Sequence, residues 1–166
     1  RYRKDLAADP DNPVRLYCTG LCLTYLNTED AAREAEKRIE KSIRYNSSIE
    51  YFHQTLGYVY EVLETVYGKS GQLEKALMSY QKAYFLNDHD ANPENAANLE
   101  LNLGNIYYLM GQYGKAFDFY SRRETRQIEF SDVNTRIVFL KRYGECAFQS
   151  NDISRTLRAM ASAWPR

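Results

Sequence analysis

From Val14 to Asn92 the chain carries no proline, and its apolar residues recur at spacings of three and four instead of alternating. Leu16, Cys18, Leu21, Cys22 and Tyr25 mark one amphipathic helix, and Ala31, Ala35, Ile39, Ser42 and Ile43 mark a second. The far side of the second carries Arg33, Glu34, Lys37, Arg38, Glu40 and Lys41, which read as a solvated face laced with i,i+4 pairs. No stretch shows the period-two pattern of a half-buried strand. The pattern predicts an all-α chain.

Self-similarity organises these helices. Gly71-Gln72-Leu73-Glu74-Lys75-Ala76 recurs 40 residues later as Gly111-Gln112-Tyr113-Gly114-Lys115-Ala116. Asn151-Asp152-Ile153-Ser154-Arg155-Thr156 stands 40 further on, and Asp30 with Ala35 precedes Gly71 and Ala76 by 41. Each unit reads as helix, tight turn, helix. The residue at the turn (Gly71, Gly111, Asn151) tolerates the left-handed conformation that ends the first helix. Ala76 and Ala116 fall where two antiparallel helices approach most closely, which favours a small side chain. The expected organisation is one repeat domain over residues 1–166, with repeats at 13–47, 48–88, 93–129 and 132–164 and a short segment, 1–12, before them.

The third copy closely resembles the tetratricopeptide repeat, whose pattern carries L-G-x2-Y, a turn glycine, and then A-x3-F/Y. Leu103, Gly104, Tyr107, Gly111, Ala116 and Tyr120 carry the match. The second copy keeps Leu63, Tyr67, Gly71, Ala76, Tyr80 and Ala83 but has Glu64 where the family prefers a small residue. Leu56-Gly57-Tyr58-Val59-Tyr60 offers a second partial L-G-x2-Y upstream, so the first helix of this copy is expected to begin near Ser48 and to run about two turns longer than the norm. The last copy retains Gly144, Asn151 and Ala163 but has Thr156 and Met160 at the alanine and aromatic positions; the first keeps Leu16 and Gly20 and carries about three extra residues in its turn near Asn27. Residues Tyr2 to Ala8, followed by Asp9-Pro10-Asp11-Asn12, look like the tail of another repeat's second helix, so further repeats are expected upstream. The resemblance implies antiparallel helix hairpins stacked in a right-handed superhelix, an α-solenoid, whose first helices line a concave groove.

Charge and composition narrow the function. Lys and Arg number 22 and Asp and Glu number 22, so no global field attracts a nucleic-acid backbone. Arg122, Arg123 and Arg126, with Arg136, Lys141 and Arg142, form the one basic cluster, but Glu124, Glu129 and Glu145 interleave with it, which favours a solvated surface over a phosphate track. The first residues lack an apolar signal core and no apolar run is long enough to insert in a membrane. Compartment stays undetermined. Cys18, Cys22 and Cys146 form no metal-binding pair and read as buried free thiols.

Catalysis finds little footing. His53 and His89 lie in different units with no Ser or Cys near either, which disfavours a triad. Asn87-Asp88-His89-Asp90-Ala91-Asn92-Pro93-Glu94 has oxygen ligands at calcium-loop spacing, but Pro93 and Leu99 occupy the places of the required glycine and glutamate. A helix-capping linker is the preferred reading. No enzyme activity, cofactor or metal is expected.

The expected binding surface is the groove. Offset from the positions that face partner helices, Asn98, Asn102, Asn105 and Tyr108 should face it, joined by Tyr58, Glu61, Thr65, Lys141, Arg142, Glu145 and Gln149 from neighbouring units. Such a lining suits an extended peptide whose backbone is held by asparagine side chains and whose acidic group meets Lys141 or Arg142. Carboxylate-binding members of the family use two asparagines and several basic residues, which Asn105 and Arg142 resemble in part, while Thr65 stands in the place of the other asparagine. The function expected is a protein-interaction scaffold for a protein or peptide partner, or, as the alternative, the regulatory or recruiting repeat domain of a larger enzyme or signalling protein.

Overall fold

The computed structural model describes residues 12–150 together with Ser154, Leu157, Arg158 and Ala161. The N-terminal half-repeat and the positions Asn151, Thr156, Met160 and Ala163 lie outside the described residues. Among the described residues there are seven α-helices and no strand. They are α1 (Pro13–Thr24), α2 (Glu29–Tyr45), α3 (Glu50–Thr65), α4 (Gln72–Leu86), α5 (Pro93–Leu109), α6 (Tyr113–Thr125) and α7 (Val133–Gln149). The chain divides into two compact units, Arg1–Leu86 and Asn87–Arg166.

Local chemistry sets the helix ends. Asn12 accepts hydrogen bonds from the amides of Val14 and Arg15 at 3.0 and 3.2 Å, with Pro13 opening α1. Thr28 caps α2 through the amide of Ala31, and Asp132 caps α7 through the amide of Thr135 at 2.9 Å. The 87–94 segment is a capping linker: the Asp88 side chain accepts from the amides of Asp90 and Ala91, and Asn92 caps α5 just before Pro93. Gly71 and Gly111 take φ of +79° and +71°, the left-handed turn conformation their place in the repeat requires.

In the first unit α1 packs against α2, α2 against α3, and α3 against α4, while α1 also touches α3. Ala35 and Ala76 are fully buried at the close approach of each hairpin. Gly20 lies so near Ile39 that a Cβ would come within 2.8 Å of its Cγ1, and Gly57 stands in the same relation to the ring of Tyr80. The exposed face of α2 carries the ion pairs Arg33–Glu29 and Arg38–Glu34, as its i,i+4 pattern predicts.

The second unit repeats this logic with α5 on α6, α6 on α7, and α5 touching α7. Ala116 is fully buried, and a Cβ on Gly104 would sit 2.5 Å from the ring of Tyr120. Phe117, Tyr120, Phe130, Phe139 and Tyr143 form one aromatic cluster.

Two expectations need correction. Gly57 and Gly104 are 47 residues apart although Tyr80 and Tyr120 are 40 apart, so the L-G-x2-Y of the second copy is Leu56-Gly57-Tyr58-Val59-Tyr60 and not the stretch at Leu63-Glu64. Lys75 over the Tyr60 ring and Lys115 over the Tyr107 ring confirm the pairing. At 16 residues α3 is no longer than α5, at 17, because it starts closer to its glycine; of the seven extra residues three lie in the 66–71 loop, three lengthen α3 beyond Gly57 and one precedes Tyr80 in α4, and Glu64 accepts the amides of Gln72 and Leu73 at 2.6 and 2.7 Å, capping α4. Second, the basic cluster is not a uniform solvated surface. Arg123 is buried with its guanidinium over Phe130, and Arg126 forms a two-point pair at 2.7 and 2.8 Å with the buried carboxylate of Glu100.

Candidate interaction face

Within the second unit, α5 and α7 present adjacent faces because both pack on α6 and touch each other. Residues at spacings of three and four on α5 (Asn98, Asn102, Asn105, Tyr108) and on α7 (Lys141, Arg142, Glu145, Gln149) occupy these faces. Asn98, Lys141 and Gln149 are exposed, and Asn102, Asn105, Tyr108, Arg142 and Glu145 are partly buried.

A polar network joins the two helices. Asn105 Oδ1 accepts the Tyr120 hydroxyl and the Arg142 Nη1, each at 2.8 Å. Since a guanidinium can only donate, Arg142 determines the orientation of the Asn105 amide: its oxygen points inward, where it also accepts the Tyr120 hydroxyl, and its Nδ2 has no partner among the described residues. Arg142 lies 5.1 Å from the Tyr108 ring centroid, and the Tyr108 hydroxyl donates to Glu145. That hydrogen bond raises the Tyr108 pKa. Burial does the same, more strongly, for Tyr120. Lys141 approaches the same Glu145 carboxylate at 4.0 Å.

Beside this network lies an open groove of about 290 Å³ lined by Leu101, Asn105, Asn134, Thr135, Val138 and Phe139. Of these, sequence reasoning named Asn105 alone. Leu101 stands one turn before Asn105, and Asn134 and Val138 stand two turns and one turn before Arg142, so extending the two helical stripes toward the N-termini would have found them.

In the first unit Tyr58, Glu61 and Thr65 lie on α3. Tyr58 is exposed and borders a crevice with Leu23, Thr28 and Val62. Glu61 accepts the Tyr80 hydroxyl at 3.0 Å, and Thr65 is exposed with its hydroxyl donated to the Glu61 carbonyl at 2.7 Å. By the glycine register Tyr58, and not Thr65, is the counterpart of Asn105. An aromatic ring thus stands where a second clamp asparagine would be needed.

No protein-family model matches the sequence, and no curated protein matches it either. Solved structures do. Two crystal structures of MamA superpose with TM-scores of 0.67 and 0.64, each at 19% identity over 97% of this chain, covering 80% and 74% of their own chains. At that identity the likeness shows the fold alone, an all-helical repeat of the α-solenoid kind.

Other candidate chemistry resolves into structure. His53 is buried and its Nε2 lies 2.9 Å from the Ser47 carbonyl. Among the described residues no group of three or more His, Cys, Asp and Glu could hold a metal ion, and no helix is long and apolar enough to cross a membrane. The cysteines divide: Cys146 is buried as expected, whereas Cys18 and Cys22 are exposed. Their counterparts by the glycine register, Thr55 and Val59, are both buried, so α1 leaves open a face that α3 covers.

Proposed function

We propose that this chain is a non-catalytic scaffold of tetratricopeptide type, with repeats at 13–47, 48–88, 93–129 and 132–164, that holds a peptide segment of a protein partner on the α5 and α7 face. The contact residues in this reading are Asn98, Asn102, Asn105, Tyr108, Lys141, Arg142, Glu145 and Gln149 in the second unit; Tyr58, Glu61 and Thr65 on α3 are proposed as a contact face of the first unit by itself. The observation that carries it is the Asn105 amide, whose oxygen is taken by Tyr120 and Arg142 so that its two N–H donors remain for a ligand at the edge of the groove. A donor held this way costs little further ordering when it meets a peptide carbonyl. The fold shared with MamA supports a repeat scaffold without naming a partner.

The test is direct. Peptides selected by display against the immobilised chain are titrated into isotope-labelled protein, and amide shifts should concentrate on α5 and α7. Shifts confined to α2, α4 or α6, or no selected peptide at all, would overturn the reading.

A further inference from the structure

Cysteine is among the side chains most often found fully buried, and Cys146 obeys that preference while Cys18 and Cys22 do not. Both lie on α1, four residues apart, so one helical turn stacks them on the same open face with their Cβ atoms about 5–6 Å apart. Packing does not call for a thiol at either place: by the glycine register the counterparts are Thr55 and Val59 on α3 and Asn102 and Ile106 on α5. Neither thiol is in a disulfide.

The surroundings restrict what such a pair could hold. Among the described residues no group of three or more His, Cys, Asp and Glu side chains could bind a metal ion, whereas zinc asks for a full tetrahedron of ligands and calcium for a shell of oxygens. Two thiols alone suit a soft monovalent ion, which thiolates favour over harder cations. Charge agrees. A monovalent ion between two thiolates leaves one net negative charge, and the single charged side chain on α1 is Arg15, exposed and three residues before Cys18 on the same side of the helix. Val14 and Tyr25, 51% and 75% exposed, flank the pair with apolar surface.

We propose that Cys18 and Cys22 form a two-coordinate site for copper(I). The two side chains lean together so that their sulfurs bind one ion from opposite sides. Each S–H releases its proton as its sulfur–copper bond forms, two protons per ion, and copper stays in the +1 state throughout. Arg15 stands beside the anionic complex and offsets its charge. The site belongs wholly to the first unit and uses no residue of the peptide-binding reading, so the two stand or fall independently.

The whole chain, reduced and kept under argon, is titrated into the coloured complex of copper(I) with bicinchoninate, and fading of that colour reports transfer. One ion per chain should move, with no change in the sedimentation coefficient. Cys18→Ser and Cys22→Ser should each weaken binding on the order of a hundredfold, the loss expected when two linked ligands become one, while Cys146→Ser holds copper as the wild type does. Cys22→Ser combined with Met78→Cys, which moves the second exposed thiol to α4, should stay as weak as Cys22→Ser alone. Circular dichroism melts report whether each variant is folded. Should one fail, wild-type chain carbamidomethylated at its two exposed thiols gives the same reading, since it should take no copper. No transfer to the wild type, affinity kept by either single variant or restored by the displaced thiol, or one ion shared by two chains in a faster-sedimenting species would each overturn the site. So would zinc(II) displacing the copper at equal concentration.

Discussion

The hairpins α3–α4 and α5–α6 make the same central contact and are tied off by different means. Each lays a first-helix glycine on a second-helix tyrosine ring, Gly57 on Tyr80 and Gly104 on Tyr120, and each places a lysine over a first-helix tyrosine. Toward the turn they diverge. In α3–α4 there are seven additional residues between glycine and ring, three in a longer loop, three lengthening α3 beyond Gly57 and one in α4 ahead of Tyr80, and the Glu64 side chain caps α4. In α5–α6 the turn is short, and the opposite end is closed by the Glu100–Arg126 pair, with the Glu100 side chain 1% exposed. The glycine–ring contact therefore defines the repeat, while the means of closing each end is free to vary.

The largest expected effect sharpens that contrast. Arg126→Ala leaves the Glu100 carboxylate buried without its two-point partner, and breaking a buried pair from one side is far costlier than losing an exposed one. The expected loss is about 3 kcal/mol in urea unfolding, near the lower end for such pairs because Arg123 also lies within electrostatic reach of Glu100. Lys69→Ala in the first unit removes an exposed pair with Glu29 and should leave the unfolding midpoint essentially where it was. Equal effects from the two substitutions would break the comparison.

A smaller effect tests the glycine register itself. Gly57→Ala and Gly104→Ala each force a Cβ against a buried tyrosine ring and should each destabilise by roughly 1–3 kcal/mol, read from thermal melts. Were Leu63-Glu64 the true counterpart of Leu103-Gly104, Gly57→Ala would instead stabilise α3 through helix propensity. Glu64→Ala should cost about 1 kcal/mol, the worth of an N-terminal cap.

That register explains which parts of the fold were legible in the sequence. The turns and second helices were, because Gly71, Gly111, Ala35, Ala76 and Ala116 sit at fixed offsets and each answers to one requirement, a positive φ or a close approach. The first helix of the second copy was not. A shift of seven residues is close to two helical turns, so Leu56-Gly57 and Leu63-Glu64 fall on nearly the same face and periodicity cannot separate them. The Tyr80 ring does. On the candidate site, the stripe from Asn98 to Tyr108 is an expectation of helix geometry, whereas the apolar part of the groove lining, Leu101, Val138 and Phe139, depends on which two helices touch. Cys18 and Cys22 were misread for a related reason: amphipathic spacing marks an apolar stripe but not whether a neighbour covers it.

The cysteines supply the gentlest test, since nothing at neutral pH depends on it. Burial pushes the Cys146 thiol up to about 12, with the Glu145 charge adding to the shift and Arg142 opposing it. Cys18 and Cys22 are exposed on α1, so iodoacetamide at mildly alkaline pH should modify two of the three cysteines in the native chain and the third after unfolding. The same shift fixes a sign for stability. Above the ordinary thiol value the folded chain retains a proton that the unfolded chain has released, so the contribution is full below that value and is lost as the pH climbs toward 12. Tyr80 in the first unit and Tyr120 in the second are raised by burial in the same direction, and both hydroxyls close a hairpin contact. Unfolding midpoints should therefore fall as pH rises through the tyrosine range, with the last part of the tyrosinate absorbance of the 15 tyrosines appearing together with the loss of helicity. Ionisation of all 15 while the helices persist would show that these two rings are not the shared centre of the two hairpins.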